Sequence, residues 1–267
     1  MNESPIGVFD SGLGGLTVLK EIMKILPNEN IIYFGDTARV PYGPRSKETV
    51  TKYTFQAINF LIFKGVKAIV IACNTATARC LKEANEKYDI PIIGVIEAGA
   101  RTAAYSTKNK IVGVIGTDGT IRSKAYNGEI GKIDKTIQII DRACPLFVPI
   151  VEEGWSNTDI ASLTAKRYLK ELMDEGIDSL VLGCTHYPLL KRTIGEIVGE
   201  DVKLVNPAKE TAKDLKKILE NNDIVNYNED SMYEYYVSDI PEKFEVLAQE
   251  FLKTEISNVK SIEIQKY

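Results

Sequence analysis

Apolar and polar positions along this chain follow two rhythms. Short, fully apolar runs (Ile6 to Phe9, Ile31 to Phe34, Ala68 to Ala72, Ile92 to Val95) read as strands. Between them lie longer stretches with apolar residues at helical spacing. Leu16, Leu19, Ile22, Met23 and Leu26 mark one face of a helix over Leu16 to Leu26. A loop from Gly35 to Arg45 leads to a helix from about Ser46 to Phe63, and another helix starts at about Ala76. Strands that alternate with helices, each strand apolar on both faces, predict a parallel sheet covered on both sides.

The pattern then restarts. Strands are expected at Ile111 to Ile115, Thr136 to Ile140, Ser179 to Leu182 and Val202 to Val205. Helices are expected at Asp159 to Met173 and from about Pro188. The tail differs: Asn221 to Asp230 is polar and loop-like, and Met232 to Val237 suits an edge strand. Pro241 to Leu252 suits a helix with Phe244, Leu247, Ala248 and Phe251 on one face. The two halves also share a repeat. AIVIACNT (Ala68 to Thr75) lies over SLVLGCTH (Ser179 to His186), with a cysteine at the same place in each. IPIIGV is echoed by DVKLVN, and GVFDSG more loosely by GVIGTD. The fold class expected is α/β: two similar α/β domains with mostly parallel sheets, facing each other across a central cleft.

Composition narrows the function. The 267 residues carry a net charge of −4, without the basic field of a general nucleic-acid binder. No apolar run reaches the roughly 18 residues of a membrane span, and no basic-then-apolar leader precedes the first strand, so a cytoplasmic protein is expected. There the four cysteines (Cys73, Cys80, Cys144, Cys184) would stay thiols. None forms a C-x-x-C pair and His186 is the single histidine, which argues against a zinc site.

Ligands of open α/β sheets bind beyond the carboxyl ends of the strands, where Cys73 and Cys184 both fall. Each is expected just before a helix, whose free N–H groups and partial positive charge stabilise a thiolate. Hydrogen-bonding side chains follow both: Asn74 and Thr75 after one, Thr185 and His186 after the other. Inverting a stereocentre without a cofactor needs one group to remove a proton from one face and a like group to deliver one to the other. Cys80, within a helix, and Cys144, before Pro145, read as buried inert thiols. The glycine-rich turn Asp10 to Gly15 suits an anion. Asp10 itself suits an ammonium group, assistance to a base, or a helix cap. Glu152 and Glu153 follow an apolar stretch (Leu146 to Val151) and read either as carried into the cleft or as a solvated pair, and His186 is near enough in sequence to trade protons with Cys184 or with substrate. Three rivals remain open on the residues alone. These are a two-cysteine racemase of aspartate or another amino acid, a cysteine hydrolase with Cys184 as nucleophile and His186 as base, and a non-catalytic anion-binding module.

Seven segments in order resemble the glutamate racemase family across nearly the whole chain: GVFDSGLGGLTV, GDTARVPYGPRS, ACNTATA, GVIEAGA, IGTDGTIRSKAY, CPLFVPIVEEG and GCTHYPLL. The resemblance implies interconversion of L- and D-glutamate without cofactor or metal, supplying D-glutamate for peptidoglycan. It implies that Cys73 takes the α-proton of D-glutamate and Cys184 that of L-glutamate, with Asp10, Glu152 and His186 assisting. Substrate contacts carry over to Asp10, Ser11, Tyr42, Gly43, Asn74, Thr75, Thr185 and His186. The family's architecture implies one domain of residues 1–97 plus 208–267 and a second of 98–207. Its members commonly form homodimers. Neither nucleic acid nor membrane is expected as a partner.

Overall fold

The first apolar run forms strand β1 (Ile6–Asp10), buried along its whole length. A strand covered on both faces has no solvent side to alternate with, so its sequence is continuously apolar. The computed structural model describes residues 2–252, 254, 256 and 258–267. After β1 come α1 (Leu16–Ile25), β2 (Ile31–Gly35), α2 (Lys47–Phe63), β3 (Ala68–Ile71), α3 (Asn74–Lys87) and β4 (Ile92–Gly94). The four strands pair in parallel in the order β2-β1-β3-β4. Ser46 caps α2, its hydroxyl accepting from the Thr49 N–H at 3.2 Å, which fixes where the glycine- and proline-rich loop gives way to helix.

The next stretch repeats the plan. It holds α4 (Ile96–Ser106), β5 (Ile111–Gly116), α5 (Asp118–Ser123), α6 (Ala125–Ile133), β6 (Gln138–Ala143), α7 (Phe147–Glu152), α8 (Asp159–Asp174) and β7 (Ser179–Gly183). A 3₁₀ turn (Tyr187–Leu190), α9 (Lys191–Val198) and β8 (Lys203–Val205) complete it. Its sheet runs β6-β5-β7-β8, all parallel, the same order as β2-β1-β3-β4. So β3 with its Cys73 and β7 with its Cys184 hold matching places. The sixth strand starts two residues later than its apolar pattern suggests. Asp134 Oδ1 accepts from both the N–H and the hydroxyl of Thr136, closing a turn there first.

The chain then forms α10 (Pro207–Asn221), β9 (Tyr233–Val237), α11 (Pro241–Leu252) and β10 (Lys260–Ser261). Contacts divide the chain into two units, Met1–Val95 with Ala208–Tyr267, and Ile96–Pro207. The returning strand is not an edge strand. β9 pairs with β2 over five residues on one side and with the short β10 on the other, giving β10-β9-β2-β1-β3-β4. Phe244 and Ala248 of α11 join the core of this unit, with Leu247 and Phe251 packed against it.

A buried ion pair ties the returning segment in place. Lys67 Nζ lies 2.6 Å from Glu29 Oε2, with both side chains almost fully enclosed. Lys67 also donates to the Asn2 carbonyl, and Glu29 Oε1 accepts from the Asn226 N–H at 2.9 Å. Removing one partner of a buried pair leaves an uncompensated charge, at a cost of about 3–5 kcal/mol. Lys67→Met is therefore expected to lower the unfolding free energy by about that amount in a urea titration. Adding Glu29→Gln to it should recover part of the loss. A single-variant loss below about 1 kcal/mol would mean the pair behaves as a surface one.

Candidate active site

Asp10 ends β1 and is fully buried. Its Oδ2 accepts from the Gly12 N–H at 2.9 Å. It is not the cap of α1: that place belongs to Gly15, with no side-chain cap bond. Gly15 instead makes room for Asp10, since a Cβ there would stand 2.4 Å from the Asp10 Cβ. Ser11 follows, also buried. Tyr33, from β2, donates its hydroxyl to the Gly12 carbonyl at 2.8 Å. Burial, then the nearby charges of Asp10 and Cys73, push the Tyr33 phenol well above its ordinary range, so it stays a neutral donor.

Cys73 is the N-cap residue of α3 and only 5% exposed. Its carbonyl accepts the first α-helical bond, from Thr77 N–H at 2.9 Å. The thiol therefore sits at the positive end of a 14-residue helix. Asn74 and Thr75, the first helical residues, are buried beside it. In the loop after β2, Tyr42 and Gly43 are buried as well. The Tyr42 hydroxyl donates to Asp36. Burial and the Asp36 carboxylate raise its pKa well above the usual phenol. Among the described residues the main-chain N–H groups of Tyr42 and Gly43 meet no acceptor, so this loop holds two buried donors suited to an anion.

In the second unit Cys184 follows β7 and is 7% exposed. The sequence led us to expect a helix dipole here too, and the structure corrects this. The residue four positions on is Pro188, which has no N–H to give to the Cys184 carbonyl. The carbonyl accepts instead from Tyr187 N–H at 3.1 Å, making a 3₁₀ turn, and the α-helix starts only at Lys191. A side chain supplies the positive charge in its place. His186 Nδ1 lies 3.9 Å from the Cys184 sulfur, and His186 Nε2 lies 3.1 Å from Glu152 Oε1. Burial alone would lower the imidazole pKa, but the bonds to Cys184 and Glu152 outweigh it and push it up to about 10. Thr185 is buried between cysteine and histidine. Glu152, at the end of α7, reaches His186, while Glu153 is exposed.

The other two thiols differ. Cys80 lies within α3, and burial raises its pKa, although its thiol donates to the Thr51 hydroxyl at 3.6 Å. Cys144 is fully buried, and burial drives its thiol far above the usual range. Among the described residues no group of three or more His, Cys, Asp or Glu side chains is placed to hold a metal ion, and no helix is long and apolar enough to cross a membrane. Sequence reasoning missed Tyr33 and Asp36. Asp36 stands just past the carboxyl end of β2, and that position was the available signal, whereas Tyr33 lies mid-strand within an apolar run that gives no such signal.

The sequence matches the model of the Asp/Glu/hydantoin racemase family over residues 6–215. A glutamate racemase of Geobacter metallireducens is 51% identical over 261 residues, 97% of each chain. A crystal structure of a glutamate racemase from Bacillus anthracis superposes with a TM-score of 0.95 at 42% identity, covering 98% of both chains. That of Francisella tularensis, in complex with D-glutamate, gives 0.94 at 44% identity over 100% of both chains.

Because His186 is the single histidine, its titration is readable by NMR without assignment. Its ring signals are expected to titrate near pH 10, and at lower pH in Glu152→Gln. A raised folded pKa favours the folded state fully below the unfolded value of about 6.5, and that advantage fades as pH rises toward 10. The wild type should accordingly lose stability against His186→Gln across this window. Titration near 6.5 would mean the imidazole is neutral at physiological pH.

Proposed function

This chain belongs to the Asp/Glu/hydantoin racemase family, and we propose that it interconverts L- and D-glutamate with Cys73 and Cys184 as alternating base and acid. The observation that carries this is the matched pair of thiols. Each lies at the carboxyl end of the third strand in its own four-strand series, buried, beside a source of positive charge. Those are the places where parallel sheets hold ligands.

With D-glutamate bound, the Cys73 thiolate takes the α-proton and becomes a thiol. The electron pair of the broken C–H bond stays on the α-carbon and spreads into its carboxylate. The Cys184 thiol then delivers a proton to the opposite face and becomes a thiolate. With L-glutamate the same steps run in reverse. Each thiol needs its charged form at near-neutral pH, so a positive neighbour for each is part of the reading. For Cys73 that neighbour is the α3 N-terminus, and for Cys184 it is the protonated His186, itself held by Glu152. Asp10 assists on the Cys73 side.

The substrate is held by main-chain amides and short polar side chains. The Tyr42 and Gly43 N–H groups suit a carboxylate. Ser11, Asn74, Thr75 and Thr185 supply further hydrogen bonds, and Asp10 and His186 complete the contacts. No cofactor takes part in this scheme. D-glutamate made this way serves peptidoglycan synthesis in the cytoplasm, and a homodimer is the working assembly, which sedimentation of the purified protein would report.

Incubation with L-glutamate in D₂O should abolish optical activity and place deuterium at the α-carbon. General acid–base groups contribute about 10²–10⁴-fold, so Cys73→Ala and Cys184→Ala should each slow racemisation by at least about 10²-fold. Exchange with aspartate and not with glutamate would keep the chemistry and change the substrate. A trapped acyl-enzyme on Cys184 would replace it with nucleophilic catalysis.

A further inference from the structure

Asp36 lies just past β2, is fully buried, and belongs to no part of the scheme above. Both oxygens of its carboxylate are nonetheless hydrogen-bonded. Oδ2 accepts from the Tyr42 hydroxyl and from Arg39 Nε at 2.7 Å. Oδ1 accepts from Ser238 Oγ at 2.8 Å. Arg39 is itself enclosed. Its Nη1 donates to Gln56 Oε1, and its guanidinium lies 4.0 Å above the Tyr53 ring.

Ser238 brings the far end of the chain into the same arrangement. It follows β9, and its hydroxyl also accepts from the Ala38 N–H at 2.9 Å. Beside it, Thr37 Oγ1 donates to the Asp239 carbonyl at 2.6 Å and accepts from the Asp239 N–H at 3.0 Å. Asp36 N–H in turn donates to the Asp10 carbonyl at 3.0 Å. One residue just past β2 thus joins the ends of β1 and β9 to the side chain of Tyr42, the first through its N–H and the others through its carboxylate. A buried carboxylate with both oxygens hydrogen-bonded, three bonds in all, holds its partners in one geometry.

We infer that Asp36 is the positioning residue of the substrate loop: through the Tyr42 hydroxyl, and braced by Arg39 and Ser238, it sets where the Tyr42 and Gly43 amides stand. The inference rests on the reading that these two amides hold the substrate. It has a chemical corollary. The Tyr42 hydroxyl is committed to Asp36 and is neither an acid nor a substrate ligand. What Tyr42 offers the substrate is its main chain. A cradle of fixed amides binds without paying an ordering cost on each encounter. Loosening it weakens binding of both enantiomers and leaves the proton-transferring thiols untouched, so the effect falls on KM.

Racemisation followed by circular dichroism in both directions decides the matter. Tyr42→Phe, which removes one oxygen, is expected to raise KM for L- and D-glutamate roughly tenfold, with kcat changed by less than about twofold. Asp36→Asn should act in the same direction and at least as strongly, since it also disturbs Arg39 and Ser238, and the double variant should be no worse than Asp36→Asn alone. Ser238→Ala should shift KM in the same direction by less. If Asp36→Asn does not fold, Tyr42→Phe and Ser238→Ala still carry the test. Wild-type KM in Tyr42→Phe, effects of the two variants that multiply, or a fall in kcat at constant KM would each overturn the inference. A wild type that fails to exchange the α-proton of glutamate would instead sink the reading on which it rests, so the two failures are distinguishable.

Discussion

Burial makes a thiolate hard to form, and the rest of the site answers that constraint. Cys80 and Cys144 show the effect unrelieved: enclosed in apolar surroundings, both have their pKa driven upward. Cys73 and Cys184 are almost as enclosed, at 5% and 7% exposure. What separates them is their setting: Cys73 caps the N-terminus of α3, and His186 Nδ1 lies 3.9 Å from the Cys184 sulfur. A parallel sheet provides the first of these settings, because every strand ends where the next helix begins. The thiol and the helix N-terminus are then covalent neighbours, and no further residue is needed to bring them together.

That economy works only once in this chain. The two sheets repeat the same strand order, yet the residues after the two cysteines diverge. In the first half, Thr77 completes an α-helical bond to the Cys73 carbonyl. In the second, Pro188 stands where that donor would be, so the turn tightens and the α-helix begins at Lys191. His186 and Glu152, brought from separate elements, stand beside Cys184 where a run of amides stands beside Cys73. The two cysteines share their position in the strand order, while the groups around them differ.

Much of this was legible in the sequence. Strands buried on both faces announce themselves as unbroken apolar runs, so β1, β2, β3, β5 and β7 and the two cysteines that follow β3 and β7 could be placed from composition alone. The 3₁₀ turn was not read, although the proline four residues past Cys184, with its missing N–H, was the signal for it. Asp36 was not legible. Its function depends on Ser238, 202 residues away, and no local pattern reports a partner at that distance. The place of β9 was hidden for a similar reason. A strand's side-chain alternation tells which faces are covered but says nothing of what lies on its edges, and β10 occupies the edge it was expected to present.

The discontinuity of the first unit bears on how the protein is made. Its sheet contains β9, which pairs with β2 although the whole of the second unit lies between them in the chain. A ribosome delivers the N-terminal strands first and the second unit next, and only then the segment that closes the first sheet. Until β9 arrives, one edge of β2 lies open, with its backbone groups unpaired and available to other chains. The second unit has all its strands contiguous and is free to complete itself during synthesis. The bonds of Ser238 with Asp36 and Ala38 are consequently among the last to form, so a truncated product would carry both cysteines and still lack them.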